Sequence, residues 1–305
     1  MMTLPKSCLA ALALLTAALH LCFCNRSIAA STQSPSAGVE AQEDTKEPFM
    51  RVQYLEIVSS DADATCRALA KVHGVTFGEP EAQLGNARTA VLESGGRIGV
   101  RAPMAEQDLP VVRPYVLVDD IEAAVAAAEA AGGEFAMRTT EIPGDGKFAI
   151  YFLADTQFGL WETPSSKAPY ARVETQEATK EQAILVQYLE IVSPDVDATC
   201  RVLAKVHGVT FGEPDAGLGN ARVAALESGG RIGVRAPMGE HDLPIVRPYV
   251  LVDDIEAATK AAEAAGGEFA IRSTEIPGHG KFAIYFLAGT QFGLWETTPS
   301  KERSR

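Results

Sequence analysis

Residues 52–59 read VQYLEIVS, and the same eight letters return at residues 186–193. The whole stretch from Val52 to Glu162 recurs from Val186 to Glu296 without a gap, 134 residues later, with roughly six positions in seven identical. A repeat of that length is a domain, not a turn of a solenoid, so the chain is built from two tandem copies of one fold. Such identity marks a duplication and fixes the boundaries of the copies. It says little about which residues matter, because both copies inherited nearly everything. With 305 residues and 47% hydrophobic content the chain can bury a sizeable core.

The formal net charge of −13 and the lack of any basic run exclude nucleic acid as a partner, since phosphate binding is driven by clustered Lys and Arg. Residues 1–30 combine Lys6, an apolar run from Leu9 to Cys24 and the small-residue stretch Ser27-Ile28-Ala29-Ala30, the pattern of a cleaved signal peptide. The run is interrupted at His20 and is too short for a membrane span, so the expectation is export to the periplasm or outside, with no membrane association after cleavage. Residues 31–48 are polar and acidic, the composition of a flexible tether. The domains then run 49–163 and 186–297, joined by a linker at 164–185 and followed by a tail at 298–305. After cleavage each copy keeps one cysteine, Cys66 and Cys200, which fall on the apolar stripe of a helix and read as buried free thiols.

Each copy divides again into two modules. The first predicts a strand at 52–58, a helix opened by Ser60 or Asp61 and stopped at Gly74, then strands near 75–77, 87–92 and 97–101. The second predicts a strand ending in RPYVLV, a helix from Ile121 to Ala131 after Asp119-Asp120, then strands near 134–138, 147–153 and 158–162. The fold class is therefore α+β: tandem paired β-α-β-β-β modules forming two cup-shaped mixed sheets with the helices outside.

Strand parity assigns side chains to the two faces of each sheet. In 52–58, Leu55 and Ile57 face the helices and Tyr54 and Glu56 face the cup. In 97–101, Ile98 and Val100 face the helices, leaving Arg97, Gly99 and Arg101; in 113–118, Val116 and Val118 leave Arg113, Tyr115 and Leu117. In the last strand Trp161 is the large residue to bury, so Phe158, Leu160 and Glu162 are expected in the cup. The second copy supplies Tyr188, Glu190, Arg231, Arg235, Arg247, Tyr249 and Glu296 in the same places.

This arrangement resembles the vicinal oxygen chelate superfamily, which includes glyoxalase I, extradiol dioxygenases and bleomycin-resistance proteins. The resemblance covers both copies. It rests on the paired modules, on first strands that run into a helix-opening Asp (YLEIVSSD, RPYVLVDD) and on the closing hairpin LADTQFGLWE. In metal-dependent members four side chains on the first and last strands hold a divalent ion. Carried onto this chain, those positions are Tyr54, Gly99, Arg113 and Glu162, and Tyr188, Gly233, Arg247 and Glu296 in the second copy. A guanidinium has no lone pair to offer, so the set is poor for a cation and no cofactor is expected. The histidines do not restore one. His73 and His207 sit at helix ends, where satisfying the last carbonyls is the usual role, and His241 and His279 occur in one copy alone, replacing Gln107 and Asp145. The turn PGHGK around His279 could overhang the second cup as a lid, although a solitary loop histidine is more often solvated.

With export expected from the N-terminal pattern and no metal from the Arg at the ligand positions, the resemblance to the drug-binding members implies a small-molecule-binding protein holding a polar or anionic organic ligand in each cup, with Arg113 and Glu162 paired or sharing it. The alternative is a metal-dependent lyase, isomerase or dioxygenase of the same superfamily, the one reading with a divalent metal. A third is a duplicated protein-interaction module. In each case the two copies form an internal pseudo-dimer.

Overall fold

The computed structural model describes residues 49–106, 108–164 and 183–298. The expected signal peptide and tether, most of the linker and tail, and Gln107 lie outside the described residues. In the first copy the elements are β1 (Val52–Val58), α1 (Ala62–His73), β2 (Arg88–Val91), β3 (Arg97–Arg101), β4 (Val111–Leu117), α2 (Ile121–Ala130), β5 (Glu134–Ile142), β6 (Gly146–Leu153) and β7 (Thr156–Glu162). The second copy repeats them as β8 (Val186–Val192), α3 (Val196–His207), β9 (Arg222–Ala225), β10 (Arg231–Arg235), β11 (Ile245–Leu251), α4 (Ile255–Ala264), β12 (Glu268–Ile276), β13 (Gly280–Leu287) and β14 (Thr290–Glu296).

Local chemistry sets the helix limits. The Asp61 carboxylate accepts from the Ala64 N–H at 2.8 Å and Asp120 accepts from the Ala123 N–H at 3.0 Å, so each helix opens on a side-chain cap. Helix α1 stops at Gly74, whose φ of +66° suits glycine best. Its buried face is Thr65, Cys66, Ala68 and Leu69, and burial pushes the Cys66 thiol up to about 11, so it is an inert packing group.

Each copy forms one seven-stranded mixed sheet, ordered β2-β3-β1-β4-β7-β6-β5 in the first. The two modules meet where β1 pairs antiparallel with β4; β1 runs parallel to β3, and β4 parallel to β7. One expected strand is absent. Residues 75–77 run outside the ladder, with Val75 buried, and the chain is tied to β2 through the Gly78 N–H to Thr89 O at 2.8 Å and an isolated Glu81–Ala87 bridge. The first module thus contributes three strands and the second four.

Helices cover one face of each sheet and meet those of the other copy, α1 against α4 and α2 against α3. Helix-facing residues of both copies, including Leu55, Ile57, Leu189 and Ile191, therefore merge into one continuous core, while each cup face holds its own smaller cluster. The copies also exchange edge contacts. Met50 bridges Leu226 and Ile184 bridges Leu92, with Met50 N–H donating to Ala225 O at 3.2 Å and Ile184 N–H to Val91 O at 3.0 Å.

Candidate functional site: two cup faces

On the floor of the first cup, Glu56 of β1 stands opposite Gly99 of β3 and Arg113 of β4. Its Oε1 accepts from Arg101 Nε at 2.6 Å, and its Oε2 accepts from Arg113 Nη1 and from the Tyr115 hydroxyl at 3.0 Å. Arg101 also donates to Asp108 at 2.5 Å, and Arg113 donates through Nε and Nη2 to Gln157 Oε1, the first at 3.1 Å. Glu56 is 6% exposed, Arg101 3% and Arg113 5%. Two carboxylates thus face two guanidiniums in a buried network whose formal charges cancel. Although burial opposes Asp108's charge, Arg101 and the Met104 N–H hold its carboxyl below the usual range. Arg235, Arg247, Glu190, Tyr249, Asp242 and Gln291 repeat this network in the second cup.

An aromatic wedge closes the half of the cup beside this floor. Tyr54, Tyr115 and Trp161 pack with ring centroids 5.6–5.8 Å apart, the last two edge to face at 85°. Two glycines make room for them. A Cβ on Gly99 would lie 2.1 Å from the Tyr54 hydroxyl oxygen, and one on Gly159 would lie 2.0 Å from the Tyr115 ring. Burial, reinforced by Glu56, holds both phenols well above their ordinary pKa, so they stay protonated. The Tyr54 hydroxyl is buried with no hydrogen-bond partner among the described residues.

The other half is open. On β6, Phe148 and Ile150 are half-buried and Phe152 is 36% exposed; beside them on β5 Met137 is 42% exposed. Phe152 pairs across the ladder with Gln157, the residue that receives Arg113, so the apolar wall ends at the polar floor. In the second copy Ile271 and Phe286, 37% and 42% exposed, occupy the same wall.

Parity on β1, β3 and β4 follows the expectation, but on β7 it is reversed. Trp161 lies in the cup cluster, whereas Phe158 and Leu160 join the core under the helices. Glu162 is not a cup residue: its Oε2 accepts from the Ile121 N–H at 2.8 Å at the start of α2, and Lys147 lies 3.6 Å away. Glu296 does the same with Ile255 N–H and Lys281, both at 2.9 Å, which hold its carboxyl below the usual range. The expected Arg113–Glu162 pairing is therefore replaced by Arg113 with Glu56 and Gln157. The physical reason is that both faces of the sheet are apolar here, so the largest residue had two places to go. Gln157, Asp108 and the open wall were not foreseen; the signal available was Gly159, a residue with no side chain directly beside Tyr115.

The rims of the two cups differ. In the first, Arg97 donates to Glu81 at 3.0 Å and to Asp145 at 2.9 Å. In the second, His279 lies with Nδ1 3.3 Å from Arg231 Nη1 and Nε2 3.2 Å from Asp215. The turn carrying His279 thus brings the imidazole against Arg231 and Asp215, with 18% of the side chain exposed. The helix-end histidines also depart from expectation. Both ring nitrogens of His73, and Nε2 of His207, are sealed from solvent with no hydrogen-bond partner among the described residues, and burial pulls both imidazoles down to about 4. A cavity of about 630 Å³ lies away from the cups, between Phe49, α2 and the end of α3, where Arg51 already pairs with Glu227 at 3.0 Å.

No protein-family model and no curated protein matches the sequence. Solved structures do match in fold. A mutant of 4-hydroxymandelate synthase from Streptomyces coelicolor aligns with a TM-score of 0.56 at 14% identity, covering 82% of this chain and 93% of that one. A Mn(II)-bound glyoxalase from Novosphingobium aromaticivorans gives 0.56 at 17% identity over 82% and 83% of the two chains. The 2,3-dioxygenase LapB from Pseudomonas sp. KL28 gives 0.56 at 13% over 84% and 96%. The chain has the vicinal oxygen chelate fold that its sequence resembles.

A divalent ion of the kind named for the glyoxalase does not suit the residues of these cups. Both Glu56 oxygens are engaged by guanidinium N–H groups, Arg113 has no lone pair, and the phenols stay protonated. Among the described residues no group of three or more His, Cys, Asp and Glu is placed to hold a metal, and no helix is long and apolar enough to cross a membrane.

Proposed function

We propose that this chain is an exported, metal-free small-molecule-binding protein whose ligands lie on the open half of each cup. The observation that carries the reading is the division of each cup face. The half that would need ion-holding side chains is filled by a neutralised Glu56–Arg101–Arg113 network and the Tyr54–Tyr115–Trp161 wedge, while Met137, Ile150 and Phe152 leave an apolar wall open beside it. Arg101 and Arg113 are ion-paired with Glu56 and Asp108, and Arg113 donates its remaining N–H groups to Gln157. The ligand class these walls fit is therefore a largely apolar, planar organic molecule, with at most a polar edge turned toward Gln157. Export rests on the N-terminal pattern of Lys6, the apolar run and Ala29-Ala30.

Thermal-shift screening against planar aromatic compounds, together with elemental analysis of protein purified without chelator, tests the reading. The expected result is a saturable rise in Tm with an aromatic ligand and no stoichiometric metal. About one equivalent of tightly held iron, zinc, nickel or manganese per copy, with no response to any organic compound, would favour the lyase, isomerase or dioxygenase alternative.

A further inference from the structure

Each floor network ends on a carboxamide, and the guanidinium decides which way that carboxamide faces. Gln157 Oε1 accepts from Arg113 Nε at 3.1 Å and from its Nη2; Gln291 Oε1 accepts from Nε and Nη2 of Arg247 at 3.2 and 2.6 Å. A guanidinium only donates, so a flipped amide would set N–H against N–H, and the oxygen end is fixed on the arginine. Each Nε2 is left with no hydrogen-bond partner among the described residues, on a side chain that is half-buried. The carboxamides stand beside the open wall. Gln157 lies directly across the ladder from Phe152, and Gln291 from Phe286, so each pair shares a face with Cβ atoms about 5 Å apart. Both glutamines also border a cavity of about 130 Å³ where the two copies meet. Its threonines have no proton to offer, since Thr156 and Thr290 donate to the Leu153 and Leu287 carbonyls at 2.6 and 2.8 Å, and Asp155 on the same wall is an exposed carboxylate.

We propose that Gln157 and Gln291 set the ligand class of the two cups: each binds a neutral aromatic carbonyl compound, its ring against Phe152 or Phe286 and its carbonyl oxygen accepting from the carboxamide Nε2. With Oε1 held by the arginine, the carboxamide offers the ligand a donor and no acceptor, so an edge that can only donate meets a second donor there. The floor beneath carries no net charge to draw an anion, and Asp155 repels one from the first cup. It rests on the reading of the cups as ligand-binding surfaces and names what they hold.

The test uses three flat tricycles that differ in one edge group: fluorenone with a carbonyl, fluorene with a methylene and carbazole with an N–H. Each is brought to equilibrium with the full chain by dialysis, and the bound compound is measured by its own absorbance. Fluorenone should bind about fivefold tighter than fluorene, the effect of one net hydrogen bond between neutral groups, and carbazole no tighter than fluorene. Gln157→Glu combined with Gln291→Glu keeps an acceptor for each arginine and removes the donors, so this double variant should lose the fluorenone advantage and bind carbazole tightest. Gln157→Met combined with Gln291→Met offers neither donor nor acceptor and should level the three. Far-UV circular dichroism checks that both double variants are folded. Tightest binding of carbazole by the unaltered chain, or a fluorenone preference kept in either folded double variant, would overturn the proposal. Equal binding of all three defeats only the role of the glutamines, because the cups would still hold ligands; no binding of any defeats the cup reading and this proposal with it.

Discussion

The two cups share a floor and differ at the rim. Glu56, Arg101, Arg113 and Gln157 are reproduced contact for contact by Glu190, Arg235, Arg247 and Gln291, whereas Glu81–Arg97–Asp145 has become Asp215–Arg231–His279. The floor is buried and every charge in it has its partner, so one change strands another group. At the rim the charges are partly wet, Arg97 being 28% exposed, and substitutions there cost little. A duplicated fold therefore has most freedom to change its binding chemistry at the mouth of the cup.

Breaking the floor should give the largest effect. Glu56→Ala leaves Arg113 buried without its carboxylate and should lower stability by about 3–5 kcal/mol, with Glu190→Ala matching it, both read by urea denaturation. Because the helix-facing residues of both copies form one core, each variant should unfold in a single transition; two separated transitions would show the copies to be independent. A difference of more than about 1 kcal/mol between the two variants would break the equivalence of the floors.

A middling effect should come from pH. His73 and His207 are held neutral with values near 4, below the ordinary 6.5 they regain on unfolding, so the unfolded chain binds more protons between those limits. Stability should be unaffected by these groups above about pH 6.5 and should fall, by an amount on the order of a few kcal/mol, as pH drops toward about 4. Replacing both by Gln should flatten that slope in the urea midpoint.

The smallest effect should come from the rims, and it should separate them. Arg97→Gln removes two half-exposed ion pairs and should cost about 1 kcal/mol at neutral pH, whereas Arg231→Gln, which loses one hydrogen bond to an imidazole, should cost less than about 0.5 kcal/mol. Equal costs in the same thermal scan would erase the distinction between the two mouths.

Much of this was readable from the residues, and the failures have one origin. Alternation placed Tyr54, Glu56, Arg97, Arg101, Arg113 and Tyr115 on the cup side, because Leu55, Ile57, Ile98 and Val116 had to meet the helices, and Asp61 and Asp120 announced both helix starts. On β7 the rule that the larger apolar residue faces the helices had no purchase, since Tyr54 and Tyr115 build a second apolar cluster on the opposite face and Trp161 joins it. Glu162 then fell to the helix side, where a free N–H at the start of α2 awaited it. Alternation placed Arg231 of β10 on the cup face, but its neighbour His279 is carried by a turn and Asp215 lies outside the strands, and periodicity carries no information about where those two meet.

The most direct measurement is a fluorescence titration of the full chain with N-phenyl-1-naphthylamine, an uncharged planar aromatic probe, read through its own emission and through quenching of Trp161 and Trp295, the two tryptophans of the chain, one in each cup. The account predicts saturable binding at one site per cup, with Phe152→Asp removing one site and Phe286→Asp the other, both at exposed positions where folding is spared. No saturable binding, or binding untouched by both substitutions together, would contradict it.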